Sequence, residues 1–76
     1  MGQITVVYYD DGKRREVNVA EGDFLETHDG HLLYVEKIMA RSVRFFNGVK
    51  RQRLSHESVV SLIRRGKLRK GIGNGL

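Results

Sequence analysis

Cysteine is absent from this chain, so no disulfide can staple the fold and nothing marks an oxidising compartment. The three histidines, His28, His31 and His56, therefore lack partners for a structural zinc site. No apolar run approaches the roughly 18 residues that a membrane-spanning helix needs. The opening Met1-Gly2-Gln3-Ile4-Thr5-Val6 has neither the basic flank nor the apolar centre of a secretory signal. Val6 also stands where a myristoylation motif built on Gly2 wants a small hydroxyl residue. These absences lead to the expectation of a soluble, cytoplasmic protein without a membrane partner.

Acidic residues are scarce in one half only. Residues 1–40 carry four basic side chains (Lys13, Arg14, Arg15, Lys37) against eight acidic ones, whereas residues 41–76 carry ten basic side chains against one, Glu57. The net charge of +5 thus divides into about −4 and +9. A split of this size points to a polyanionic partner or to an acidic protein surface.

Seventy-six residues suffice for one domain. A chain this short buries only about 60% of the surface exposed when it is unfolded. Packing and hydrogen bonds, or association with a second copy as a homodimer, must supply its stability.

The hydropathy pattern is that of short strands. Gln3 to Tyr9 alternates, with Ile4, Val6 and Tyr8 on one face, and Asp10-Asp11-Gly12-Lys13 is a hairpin turn. The return strand, Arg14 to Val19, sets Val17 and Val19 against Glu16 and Asn18. After a break at Ala20-Glu21-Gly22-Asp23, a strand is expected from Phe24 to Thr27, then a turn at His28-Asp29-Gly30-His31 and a strand from Leu32 to Met39. Leu33 and Val35 keep strand period but Ile38 falls out of phase, which predicts a β-bulge near Glu36-Lys37. Ser42 to Asn47 follows with Val43 and Phe45 inward, then Asn47-Gly48 as a turn, then a basic strand from Val49 to Leu54.

Ser55 changes the period. It suits a helix N-cap, Glu57 favours the positive end of the helix dipole, and Val59, Leu62 and Ile63 share a helical face up to about Arg65. Gly66 suits a C-cap, and Leu68 a final anchor. The expected architecture is mainly β (α+β): a small barrel of five or six short antiparallel strands with one C-terminal helix. The domain is placed at residues 1–68, with 69–76 as a flexible, basic, glycine-rich tail.

Gly22-Asp23, Gly30, Val35, Ile38, Val43 and Phe45 reproduce a spacing that resembles the SH3-like barrels, including KOW-type modules of translation and transcription factors. The likeness covers roughly residues 20–55 and is similar in style to small accessory proteins of phages and mobile elements. It implies an SH3-like barrel, and it implies that Gly30 and its flanks, His28 and His31, touch RNA or a polymerase.

Arg41, Arg44, Lys50, Arg51, Arg53, Arg64, Arg65 and Lys67, with Arg69 and Lys70 behind them, are the candidate contacts for a phosphate backbone. Arginine predominates between residues 41 and 65, and its planar fork suits phosphates and base edges. The plainer reading is a solvated basic face that keeps a small protein in solution. Tyr9, Tyr34 and Phe46 fall on the opposite strand faces from Tyr8, Leu33 and Phe45, where rings can stack on bases. At least one of the three is expected to lie under the helix instead, because the stripe Val59, Leu62 and Ile63 must bury against something.

His28, Asp29 and His31 sit too close together in a short turn to aim three ligands at one metal, and His56 is expected to face solvent. No carboxylate is placed to orient a histidine beside a hydroxyl, and Gly71-Ile72-Gly73-Asn74-Gly75 follows no strand as a phosphate loop must. The expectation is a non-enzymatic regulatory or accessory protein without cofactor that binds DNA or RNA. The alternative is a module that docks on, and inhibits, an acidic host protein.

Overall fold

In the computed structural model, which describes residues 2–71, alternation carries the chain through two long strands, β1 (Gln3–Asp10) and β2 (Lys13–Ala20). They pair antiparallel from Gln3 opposite Ala20 to Asp10 opposite Lys13. Asp11 and Gly12 take φ of 53° and 75°, the conformation that a two-residue hairpin turn requires. Ile4, Val6, Tyr8, Val17 and Val19 share the face that meets the core.

The remaining strands are β3 (Phe24–Glu26), β4 (Leu32–Ile38), β5 (Ser42–Phe46), β6 (Arg51–Ser55) and β7 (Lys67–Arg69), with helix α1 (His56–Arg65) between the last two. They form a second antiparallel sheet in the order β6-β5-β4-β3-β7. The register of β4 against β5 shifts between Val35 and Lys37, so the bulge falls on Glu36, where the phase slip at Ile38 predicts it. The fold is therefore mainly β: the described residues form seven strands in two antiparallel sheets with one helix. No closed barrel forms among the described residues: β1 and β2 pair only with each other and leave the five-stranded sheet open.

The core lies on one side of that sheet. Leu25, Leu33, Val35, Val43 and Phe45 point inward and pack with Val59 and Ile63 of α1 and with Val6 and Val19 of the hairpin. Ser55 caps the helix, its Oγ accepting the Ser58 N–H at 3.2 Å, and Arg64 and Arg65 occupy the last turn.

Gly66 ends the helix, its N–H bonded to the Leu62 carbonyl at 2.8 Å, with φ of −115°. The demand for glycine here comes from close approach: a Cβ would overlap the Glu26 carbonyl oxygen of β3. Gly66→Ala is accordingly expected to lower stability by about 1–3 kcal/mol, the usual range for overpacking. A falling urea midpoint at unchanged slope would show it, and a midpoint equal to wild type would refute the close approach.

The chain stays ordered past Leu68, where the tail is expected to begin. Leu68 lies opposite Leu25, Arg69 pairs with Glu26 at 2.7 Å, and the Lys70 ammonium and Gly71 N–H both bond the buried Asp23 carboxylate. Ion pairing with β3 and Asp23 explains why this basic segment docks. The rest of the expected tail, 72–76, lies outside the described residues.

Candidate functional site

Strand pairing alone assembles the outer face of the five-stranded sheet. Directly opposed residues of antiparallel strands share a face, and Arg69, Phe24, Tyr34, Phe46 and Arg51 are opposed in turn across β7, β3, β4, β5 and β6. One transverse row of three rings, closed at each end by an arginine, results. The rings of Phe24 and Tyr34 lie 5.3 Å apart and tilted by 56°, and the Arg51 guanidinium sits 5.5 Å from the centre of the Phe46 ring.

Two flanking rows complete the face. Lys37, Arg44 and Arg53 are opposed across β4, β5 and β6 on one side of the rings. Lys67, Glu26 and Leu32 are opposed across β7, β3 and β4 on the other. Six cations thus share the face with two carboxylates, Glu26 and the bulge residue Glu36.

The Glu36 carboxylate accepts from Arg44 Nε at 2.8 Å and from Arg51 Nε at 2.9 Å. The hydrogen bond from Arg51 holds this carboxyl below its ordinary value, against the upward push of burial, and Arg44 adds to the lowering. Both arginine side chains are thereby fixed in place. Arg53, Lys37 and Lys67 make no ion pair among the described residues.

Tyr34 is 37% exposed and Leu32 51% exposed. Phe24 and Phe46 are half-buried, and with Asn47 and Gly48 these residues line a shallow apolar groove of about 370 Å³. The helix does not cover any of it. Because α1 leaves β6 on the core side, where Val43 and Phe45 point, neither Tyr34 nor Phe46 lies beneath it, contrary to the expectation that one ring would.

The structure gathers only part of the expected cation cluster. Arg44, Arg51, Arg53 and Lys67 join Tyr34 and Phe46 on this face. Arg41 lies in the β4–β5 turn and Lys50 in the β5–β6 turn, while Arg64 and Arg65 are exposed at the end of α1, which packs on the opposite side of the sheet. Tyr9 is 61% exposed but belongs to the other sheet, opposite Arg14.

Phe24 and Lys37 belong to the face yet are missing from the candidate residues read from the sequence. Phe24 was recoverable: it and Tyr34 stand the same number of residues from the turn residue Asp29, so a hairpin opposes them. Arg69 stands among the candidate cations, but its place on a strand of this face carried no signal, because three residues are too few to display a strand period.

At the β3–β4 turn, Asp29 accepts from the Thr27 hydroxyl, and that bond holds its carboxyl below the ordinary range. His31 Nδ1 stands 3.6 Å from Asp29. Among the described residues no cluster of three His, Asp or Glu side chains is placed to hold a metal ion. His56 is half-buried, its Nε2–H donating to the Met39 carbonyl at 3.1 Å, and so does not face solvent as expected. Among the described residues no helix is long and apolar enough to cross a membrane.

Comparison with known proteins finds no matching family model, no matching curated protein and no matching solved structure.

Proposed function

We propose that this protein binds nucleic acid on the outer face of its five-stranded sheet, as a non-enzymatic regulatory or accessory protein. The observation that carries the reading is a sheet face left uncovered among the described residues, with six cations against two carboxylates around a row of rings. Cations fixed on a rigid sheet can neutralise successive phosphates and release their counterions. The likeness of residues 20–55 to SH3-like and KOW-type modules supports the same reading.

A salt titration of binding to generic DNA and RNA oligonucleotides, followed by fluorescence anisotropy, tests it. Affinity should fall with salt, and Arg53→Ala should reduce the salt slope by about one unit, as expected for one lost phosphate contact. Arg64→Ala combined with Arg65→Ala should leave slope and affinity close to wild type, because those arginines belong to the helix on the other side. Equal losses from the helix pair would move the site off the sheet. No binding at low salt would abandon nucleic acid in favour of an acidic protein surface, where one or two arginines dominate as hot spots.

A further inference from the structure

We infer that the nucleic acid taken by this face is single-stranded, with its bases stacked on Phe24, Tyr34 and Phe46. The inference rests on the nucleic-acid reading above and adds the state of the strand and the role of the rings.

Three observations carry it. First, the rings form a transverse row in strict cross-strand register, on a face that no other element covers among the described residues. Neighbouring strands are about 4.8 Å apart, so the three rings span roughly 10 Å and the two flanking arginines stand roughly 19 Å apart at the backbone. Aromatic rings on an open sheet are known to stack two or three unpaired bases, and every base offers a face for such stacking.

Second, the cationic row Lys37–Arg44–Arg53 runs parallel to the aromatic row, displaced along β5 and β6 by two residues. Two residues of strand are about 7 Å. A chain crossing the sheet along this direction can therefore lay bases on one row and phosphates along the other. Glu36 pairs with Arg44 and Arg51 and Glu26 with Arg69, and with Lys37, Arg53 and Lys67 outside these pairs the face keeps a surplus of positive charge. Arg51 and Arg69 close the ends of the aromatic row, where the entering and leaving phosphates need a counter-charge.

Third, the face offers a duplex little to grip. Bases in a duplex already stack on each other, and sequence or groove contact needs an element that protrudes. The helix lies on the opposite side of the sheet, with Val59 and Ile63 buried in the core. The β1–β2 hairpin carries Asp10 and Asp11 at its tip and Glu16 behind them, against Lys13, Arg14 and Arg15. That balance gives it no net attraction for a groove.

The test compares three probes of one length: a labelled oligothymidylate, the same strand annealed to its complement, and an abasic strand with the same phosphates. Each is titrated against wild type, Tyr34→Ala and Tyr34→Phe. The expected result is tightest binding of the single strand, weakened roughly tenfold by Tyr34→Ala at unchanged salt slope and retained by Tyr34→Phe. Duplex and abasic strand should bind more weakly and should not distinguish the variants. Tyr34 is not a core residue, and a circular-dichroism melt confirms that each variant is folded before titration. If duplex and abasic strand bind as well as the single strand, or if Tyr34→Ala binds the single strand as tightly as wild type does, stacking is overturned while nucleic-acid binding stands. If none of the three probes binds, both readings fall together.

Discussion

Phe45→Ala is expected to lose about 3–5 kcal/mol of folding free energy, which leaves the variant close to unfolded at room temperature. Small domains hold roughly 5–15 kcal/mol in total, and a chain of this length belongs near the lower end. Phe45 is fully buried at the centre of the inner sheet face. It stands opposite Val35 on β4 and Gln52 on β6, in the one hydrophobic cluster that also holds Val59 of the helix and Val6 and Val19 of the hairpin. Truncation removes most of a ring's apolar surface and leaves a cavity that strands pinned by hydrogen bonds on both sides cannot collapse to fill. Urea denaturation should show a much lower midpoint. A variant that unfolds like wild type would mean that β4 and β5 are paired in the wrong register.

That register was legible in the residues. Val43 and Phe45 alternate cleanly, and the displaced Ile38 announces the bulge that falls on Glu36. The Asp11-Gly12 turn was legible because only residues tolerant of positive φ fit there. Closure was not legible. A barrel needs β1 or β2 to pair with an edge of the larger sheet, and no local pattern states which edges meet. The hairpin instead docks through Val6 and Val19, a side-chain contact indistinguishable in sequence from the inner face of a barrel strand.

The site was half legible for a related reason. Charge counted along the chain showed a basic half but mixed two sides of the molecule. Strand period separates Arg51 and Arg53 from Gln52, and helix geometry carries Arg64 and Arg65 to the other side of the sheet. Conversely, Lys37 lies in the acidic half of the sequence but on the basic face of the fold. Only pairing brings it beside Arg44, and pairing is long-range information.

Asp23→Ala should lower stability by on the order of 3 kcal/mol, although its nearest cation is solvent-exposed. The Asp23 carboxylate is wholly buried and accepts the Ala20 N–H at 2.9 Å, the Gly71 N–H at 3.1 Å and the Lys70 ammonium at 2.8 Å. It thereby ties the end of β2 to the chain leaving β7. Alanine leaves two backbone donors without an acceptor, and each hydrogen bond to a charged group contributes about 1.5–3 kcal/mol. Lys70→Ala removes the bonds that a 61% exposed side chain makes to Asp23 and to the Asn18 carbonyl, leaves both backbone donors satisfied, and should have a smaller effect.

The dependence on pH separates this account from simple loss of packing. Burial pushes the Asp23 carboxyl up, but the bonds from Lys70, Ala20 and Gly71 outweigh it and hold the folded-state value below the ordinary 3.8. A carboxyl lowered by folding contributes stability that is fully present above its unfolded value and is lost as pH falls through its folded value. Wild type should therefore lose this contribution only in acid, from about pH 4 downward. Glu36 and Asp29 are lowered as well, so all forms of the protein weaken in that range. The informative quantity is the stability difference between wild type and Asp23→Asn. It should stay level above pH 5 and shrink steadily below about pH 4, as the wild-type carboxyl gains its proton. A difference that stays constant through the acid range would show that the ionised carboxylate does not hold the chain end.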